Sequence, residues 1–318
     1  MKNLPGPCPP RSGPISSLPG RTVAEPRSKR ACGNVGDVLE LVRDAARRLE
    51  DAGVPEAHVS AEVLLSELLG VGRSDLALLE EPLIGDQAKL YETWVSRRLK
   101  REPVQRILGH AYFRNLELEL DEHTLIPRPD TESVVEAALG AVDRRKGSCL
   151  VLEVGVGSGA IAISIAQERP LCKVHATDNS DQALRIARQN AERAGVTVKL
   201  HHTDLVPSLD DSTESIEVLV SNPPYVRSDD LQKLAPEVRY WDPATALDGG
   251  PDGLGFYRRI LTEVKPLLAN GADVVLEVGD GQAEDVLELG QRAGYTPLGT
   301  HADLAGSPRA VLLRWGVR

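Results

Sequence analysis

Leu150-Val151-Leu152-Glu153-Val154-Gly155-Val156-Gly157-Ser158-Gly159-Ala160-Ile161 changes character twice within one short stretch, and those changes decide the fold. The apolar run up to Val154, rich in β-branched residues, reads as a buried strand. The glycines follow as a tight turn, and Ala160, Ile161, Ala162, Ile165 and Ala166 then recur at helical spacing. Glycine accepts positive φ and lets a ligand approach the backbone, while the first turn of the helix offers unpaired N–H groups. A strand, glycine turn and helix in that order predict the cradle of a nucleotide-like ligand, made by Gly155, Val156, Gly157, Ser158 and Gly159, in an open α/β sheet.

The pattern continues outward from the loop. A second strand over 173–177 ends at Asp178, and an acid at that tip is placed to accept hydrogen bonds from ribose hydroxyls. A helix over 182–194 is stopped by Gly195, and a third strand over 198–200 leads to Asp204-Leu205. There Asp204 or its neighbour's backbone can meet a base, and Leu205 can cover the ring. His201 and His202, adjacent on a strand, point to opposite faces and cannot share a metal ion. Further on come a strand over 216–220, a turn-rich loop over 246–254, a helix over 256–268, a strand over 272–278, a helix over 282–293 and closing strands over 295–300 and 310–315. This alternation predicts one doubly wound α/β sheet, with the 246–254 loop over its carboxyl edge.

The strand over 216–220 delivers Ser221-Asn222-Pro223-Pro224-Tyr225. Neither proline has an N–H to give to a ladder, so the carbonyls of Asn222 and Pro223 are released from strand pairing. With the Asn222 side-chain oxygen and the flat face of Tyr225, they form a receptor for a planar group carrying N–H donors. An amide or an aminated base fits that description.

Before the sheet the periodicity is helical. Asp37 is a candidate cap for a helix carrying Val38, Leu41, Val42, Ala45, Ala46 and Leu49, closed by Gly53. Val59, Val63, Leu64, Leu65, Leu68 and Leu69 suggest a second helix ending at Gly70, and a third over 86–101 turns Leu90, Trp94, Val95 and Leu99 inward. Leu116, Leu118 and Leu120 then alternate with acids as a half-exposed strand of a hairpin. Next, Arg128 stands between Pro127 and Pro129, and Asp130 or Thr131 can cap the helix beyond. Residues 1–34, rich in Pro, Gly, Ser and Arg, read as a disordered basic tail.

Composition narrows the function. With 37 Lys and Arg against 47 Asp and Glu, the net charge of −10 argues against a protein that wraps nucleic acid through its phosphates. No apolar run reaches the length of a membrane span. The cysteines Cys8, Cys32, Cys149 and Cys172 form no Cys-x-x-Cys pair, so no metal site is expected and a reducing compartment is. The cytoplasm is the expected location, with an organelle matrix as the alternative if the tail is a targeting segment.

The set formed by residues 153–159, Asn222-Pro223-Pro224-Tyr225, residues 126–132, Pro103-Val104-Gln105-Arg106-Ile107-Leu108-Gly109 and Asp248-Gly249-Gly250-Pro251-Asp252-Gly253 resembles the protein-(glutamine-N5) methyltransferases of peptide chain release factors. The likeness runs from Asp37 to the C-terminus. It implies a class I methyltransferase sheet behind a small all-helical N-terminal domain, and S-adenosyl-L-methionine as methyl donor. It also implies that the Gly-Gly-Gln glutamine of a release factor is the acceptor; a monomer is expected. By the same likeness, Gly155 to Gly159, Asp178 and Asp204-Leu205 bind the donor, and Asn222, Pro223, Pro224 and Tyr225 hold the glutamine amide, with Asn222 also touching the donor. The expected layout is a tail over 1–34, a helical substrate-recognition domain over 35–105, a hairpin linker over 106–132 and a catalytic domain over 133–318. Two residues depart from the family pattern. Val156 stands where a small polar residue is common, and Leu205 where an aromatic is common. The same tetrad also serves methyltransferases of exocyclic base amines in RNA or DNA, which is the alternative reading.

Overall fold

The computed structural model describes residues 38–316 except 80–82, 84, 146 and 209–214. The expected tail and the expected Asp37 cap lie outside the described residues. Helix α1 (Val38–Asp51) buries Val38, Val42, Ala45, Ala46 and Leu49, and α2 (Ala57–Leu69) ends at Gly70 in the left-handed region. Helix α3 (Asp86–Arg98) corrects the expected inner face: it buries Tyr91, Val95 and Arg98 and leaves Leu90 exposed. Polar partners account for this. The Tyr91 hydroxyl donates to the Ala61 carbonyl of α2 at 3.1 Å, and the Arg98 guanidinium finds a carboxylate inside, so both can be buried without an orphaned donor. The helix also ends earlier than expected, because Arg101 adopts φ 66 and turns the chain toward Pro103.

Helix α4 (Val104–Leu108) leads into the hairpin of β1 (His110–Phe113) and β2 (Leu116–Glu119), which buries Leu116 and Leu118. Helix α5 (Thr131–Asp143) then enters the sheet domain. The remaining elements are β3 (Leu150–Val154), α6 (Ala160–Glu168), β4 (Lys173–Asp178), α7 (Asp181–Arg193), β5 (Lys199–His202), β6 (Ile216–Ser221), α8 (Pro236–Arg239), α9 (Gly255–Glu263), β7 (Leu268–Glu277), α10 (Ala283–Arg292), β8 (Thr296–Ala302) and β9 (Pro308–Arg314). The Asn190 side chain of α7 sews the hairpin to the sheet domain, accepting from Glu119 N at 2.8 Å and donating to Glu119 O at 3.1 Å.

The strands form one sheet in the order β5-β4-β3-β6-β7-β9-β8. The five from β5 to β7 are parallel, and β9 runs antiparallel to both β7 and β8. Alternate residues of the central strand β6 face opposite cores. Val218 and Val220 pack with α5, α6 and α7, and Leu219 packs with α9 and α10. Burial of this kind stabilises by about 1.5–3 kcal/mol per large aliphatic side chain. Chain order reverses between β3 and β6, so their carboxyl ends diverge and open a crevice where ligands bind in such sheets.

Candidate active site

Pairing of Val154 with Ser221 makes the glycine loop after β3 and the tetrad after β6 leave the sheet side by side. The Ser221 hydroxyl donates to the Val154 carbonyl at 2.7 Å and ties the two exits together. Between them lies a cavity of about 240 Å³, walled by residues 153–158, Asp178, Asp204, Leu205 and residues 221–224.

The loop is built to present backbone. Gly155, Gly157 and Gly159 all take positive φ, of 81°, 52° and 88°. A methyl group added at Gly155 or Gly157 would meet nothing within 4 Å, whereas at Gly159 it would lie 2.6 Å from Ile163. The first two glycines therefore border open space, and the third lies close against Ile163 of α6 and Ala187 of α7. Val156 is buried, so it can serve a ligand only through its backbone. Asp178 braces the loop by accepting from Gly157 N, and it accepts from Ser180 N as well, each at 3.0 Å. A carboxylate has about four lone-pair positions, so two stay available to hydroxyl donors. Glu153 is buried and accepts from Ala162 N in the first turn of α6 at 2.8 Å. Burial pushes its carboxyl well above the usual range, partly countered by that bond. Open glycine backbone beside an acid that can take ribose hydroxyls fits an adenosyl group.

Asp204 and Leu205 divide their tasks. The Asp204 carboxylate is engaged by Arg259 at 2.9 Å, while Leu205 is buried with φ 72°. That conformation costs a non-glycine residue roughly 1–2 kcal/mol. It is held by the Thr177 hydroxyl, which donates to the Leu205 carbonyl at 3.0 Å, and it places the leucine in the cavity wall.

In the tetrad, Asn222 Nδ2 donates to Thr131 Oγ1 at 3.3 Å, and the Thr131 hydroxyl donates to Glu277 Oε2 at 2.7 Å. Neither Asp130 nor Thr131 caps α5 with its side chain, contrary to expectation, and Thr131 spends its hydroxyl on Glu277 instead. Glu277 is buried, which pushes its carboxyl up to about 7, and the Thr131 hydroxyl and Arg309 pull the other way. Among the described residues the carbonyls of Asn222 and Pro223 accept no hydrogen bond, in keeping with the effect of the prolines. Tyr225 does not line the cavity. Its ring lies against Gly279, its carbonyl accepts from Gln282 Nε2 at 2.9 Å, and its hydroxyl is turned toward Glu277.

Residues 226–254 lie on the tetrad. Val226 N donates to Leu247 O at 2.9 Å and Gly249 N to Val226 O at 2.8 Å. A methyl group at Gly249 would stand 2.8 Å from both Pro224 O and Tyr225 Cα, so only glycine permits this approach. Arginines from the N-terminal half anchor the segment. Arg98 and Arg101 hold Glu237 at 3.0 and 2.7 Å, and Arg106 and Arg128 both hold Asp242, which is buried. The arginine between two prolines is thus an anchor for the loop over the site. Sequence reasoning gave no role to Glu277, Gln282 or Asp242. A usable signal for Glu277 existed, since an acid at the carboxyl end of an apolar strand is costly to bury unless it has work there.

Two protein-family models match the chain: the PrmC N-terminal domain over residues 40–109 and the methyltransferase small domain over residues 139–237. The release factor glutamine methyltransferase of Geobacter sulfurreducens is 40% identical over 83% of this chain and 91% of that protein. The chain belongs to the release factor glutamine methyltransferase family. The protein of that name from Streptomyces coelicolor is 39% identical over 87% of this chain and 98% of its own length, and that from Caulobacter vibrioides 36% over 84% and 93%. Membership agrees with the seven-stranded sheet as a class I methyltransferase fold and with the helices α1–α4 ahead of it. Among the described residues no helix is long and apolar enough to cross a membrane. Nor does any group of three or more His, Cys, Asp or Glu among them converge as a metal site would.

Proposed function

We propose that the chain transfers a methyl group from S-adenosylmethionine to the side-chain amide N5 of the glutamine in the Gly-Gly-Gln loop of a peptide chain release factor. The observation that carries this reading is the meeting, at one cavity, of an open glycine backbone with an asparagine whose amide nitrogen is already engaged. S-adenosylmethionine supplies an electrophilic sulfonium methyl when bound. The glycine loop, Asp178 and Leu205 would hold its adenosyl portion, and Glu153 keeps the loop in place through α6.

An amide nitrogen is a weak nucleophile because its lone pair is delocalised into the carbonyl. Asn222 Oδ1 and the Pro223 carbonyl would accept its two N–H groups and hold the nitrogen in the cavity that the glycine loop shares. Positioning is then the main contribution to rate. Positive charge growing on that nitrogen would be stabilised by the same preoriented carbonyl dipoles by roughly a few kcal/mol. The surplus amide proton passes to water. Pro224 and Tyr225 form the rigid back of this receptor, clamped by Gly249 and Gln282. We read the helical domain, expected over 35–105, as the part that engages the release factor. The pairs of its Arg98 and Arg101 with Glu237 support the assignment by linking it to the loop over the tetrad.

The test is incubation with S-adenosylmethionine and a purified release factor, followed by peptide mass spectrometry. A gain of about 14 Da, one methylene, on the Gly-Gly-Gln glutamine is expected. Methylation of RNA or DNA with the release factor left unmodified would overturn the reading and favour a base amine as acceptor.

A further inference from the structure

We infer that Thr131 and Glu277 are positioning residues which decide which end of the Asn222 amide meets the acceptor. The inference rests on the reading of Asn222 as the side chain that holds the glutamine amide. An asparagine amide is nearly symmetric in outline, so hydrogen-bond chemistry decides how it is turned. Ionised Glu277 can only accept. Thr131 has a single hydroxyl proton, and at 2.7 Å that proton lies toward Glu277. What Thr131 offers at 3.3 Å to Asn222 is therefore a lone pair, and only the NH2 end of the amide can answer it. The oxygen end is left to accept. Were the amide reversed, its NH2 would confront the N–H groups of the acceptor, donor against donor.

The surroundings hold the relay still. Thr131 opens α5 and is buried, and Glu277 ends β7 one residue past Leu276, the β7 residue paired with Ser221. The groups facing Glu277 are Thr131, the Tyr225 hydroxyl, Arg309 of β9 and Asp130, and the Tyr257 hydroxyl of α9 donates to its backbone carbonyl at 2.8 Å. Arg309 is shared with Asp130, Asp280 and Asp303 at 3.1–3.2 Å. Protonation of Glu277 would let it donate to Thr131, free the threonine proton for Asn222, and reverse the amide.

The variants are Thr131→Val, which keeps the shape and removes the hydroxyl, Thr131→Ser, which keeps the hydroxyl, and both N222A and the N222A/T131V pair. Methyl transfer to a purified release factor is measured beside S-adenosylmethionine binding. T131V should lower kcat by about 10–100-fold, the size of losing a partner that orients a functional side chain, with donor affinity unchanged, and T131S should recover most of it. T131V should add nothing in the N222A background, because a residue acting only through Asn222 has no target there. An equal further loss in that background, or T131V at wild-type turnover, would overturn the inference. Nitrogen-15 NMR of the Asn222 side-chain NH2 gives a readout without catalysis: its shift and slow proton exchange should change in T131V and be restored in T131S. An unchanged signal in T131V overturns the relay even if the wild-type chain methylates no release factor, a result that would separately remove the functional reading.

Discussion

Replacing Glu277 by Gln should make the protein more stable and less active, and the gain in stability should depend on pH. Burial raises the folded-state value of this carboxyl from 4.5 to about 7, with the Thr131 hydroxyl and Arg309 recovering part of the cost of the charge. The folded state therefore binds the proton more tightly than the unfolded state does. The stability of the neutral form is fully present below pH 4.5 and is lost as pH rises through about 7. At about 1.4 kcal/mol per pH unit, ionising the buried group costs the wild-type chain about 3 kcal/mol by pH 8 and about 1 kcal/mol at pH 5. Glutamine fills the same space and never ionises. Urea denaturation of wild type and E277Q at both pH values should thus show a gain of about 3 kcal/mol at pH 8 that shrinks to about 1 kcal/mol at pH 5. Equal stabilities at pH 8, or a gain that does not change with pH, would refute the claim that Glu277 is held ionised at a cost. Such a cost is what a group retained for its site rather than for folding would show.

Four further outcomes are expected. Turnover of the wild-type enzyme should fall on the acid side as pH drops through about 7, where Glu277 takes up its proton, and a pH–rate profile of E277Q should lack that limb. Asn222→Ala should bind S-adenosylmethionine normally while turnover falls by about 100–1,000-fold, measured by calorimetry and single-turnover transfer. Asp178→Ala removes the acceptor for Gly157 N and for ribose hydroxyls, so the Kd for S-adenosylmethionine should rise by roughly 10–100-fold in a direct binding titration. Glu237→Ala leaves Arg98 buried without its carboxylate and should cost about 3–5 kcal/mol in a denaturation curve.

Most of the sheet was legible because each strand and helix declares itself within a few neighbours. The run from Leu150 to Ile161 carries its own strand, turn and helix, and the alternation of apolar and acidic residues from Leu116 to Asp121 announces the hairpin. The inner face of α3 departs from its pattern for a reason that lies outside the helix. Hydropathy favoured Leu90 over Tyr91, but a tyrosine with a carbonyl waiting for its hydroxyl buries better than the pattern suggests. The antiparallel direction of β9 could not be read, because a strand's period is the same whichever way it runs.

Cross-chain pairings were the unreadable part of the site. The bond from Asn222 to Thr131 spans 91 positions and that from Thr131 to Glu277 spans 146, and no local pattern encodes either. They also change what the tetrad means. Read alone, Asn222 can offer an oxygen or an NH2 to a partner, so its side chain suits acceptors of both kinds. Once Thr131 takes the NH2, what remains is an acceptor oxygen beside the freed Pro223 carbonyl, a pair that suits a group bringing two N–H bonds. A primary amide and an exocyclic base amine both bring two, so this geometry fixes the polarity of the site without choosing between them. The choice falls to what surrounds the opening. The loop over the tetrad is tied by Glu237 and Asp242 to arginines of the helical half, in a chain of net charge −10. Those carboxylates occupy the arginines that anchor the loop, and a polyphosphate strand would need such cations free. A protein loop carrying its own side-chain amide needs only the two carbonyls and a shape to enter.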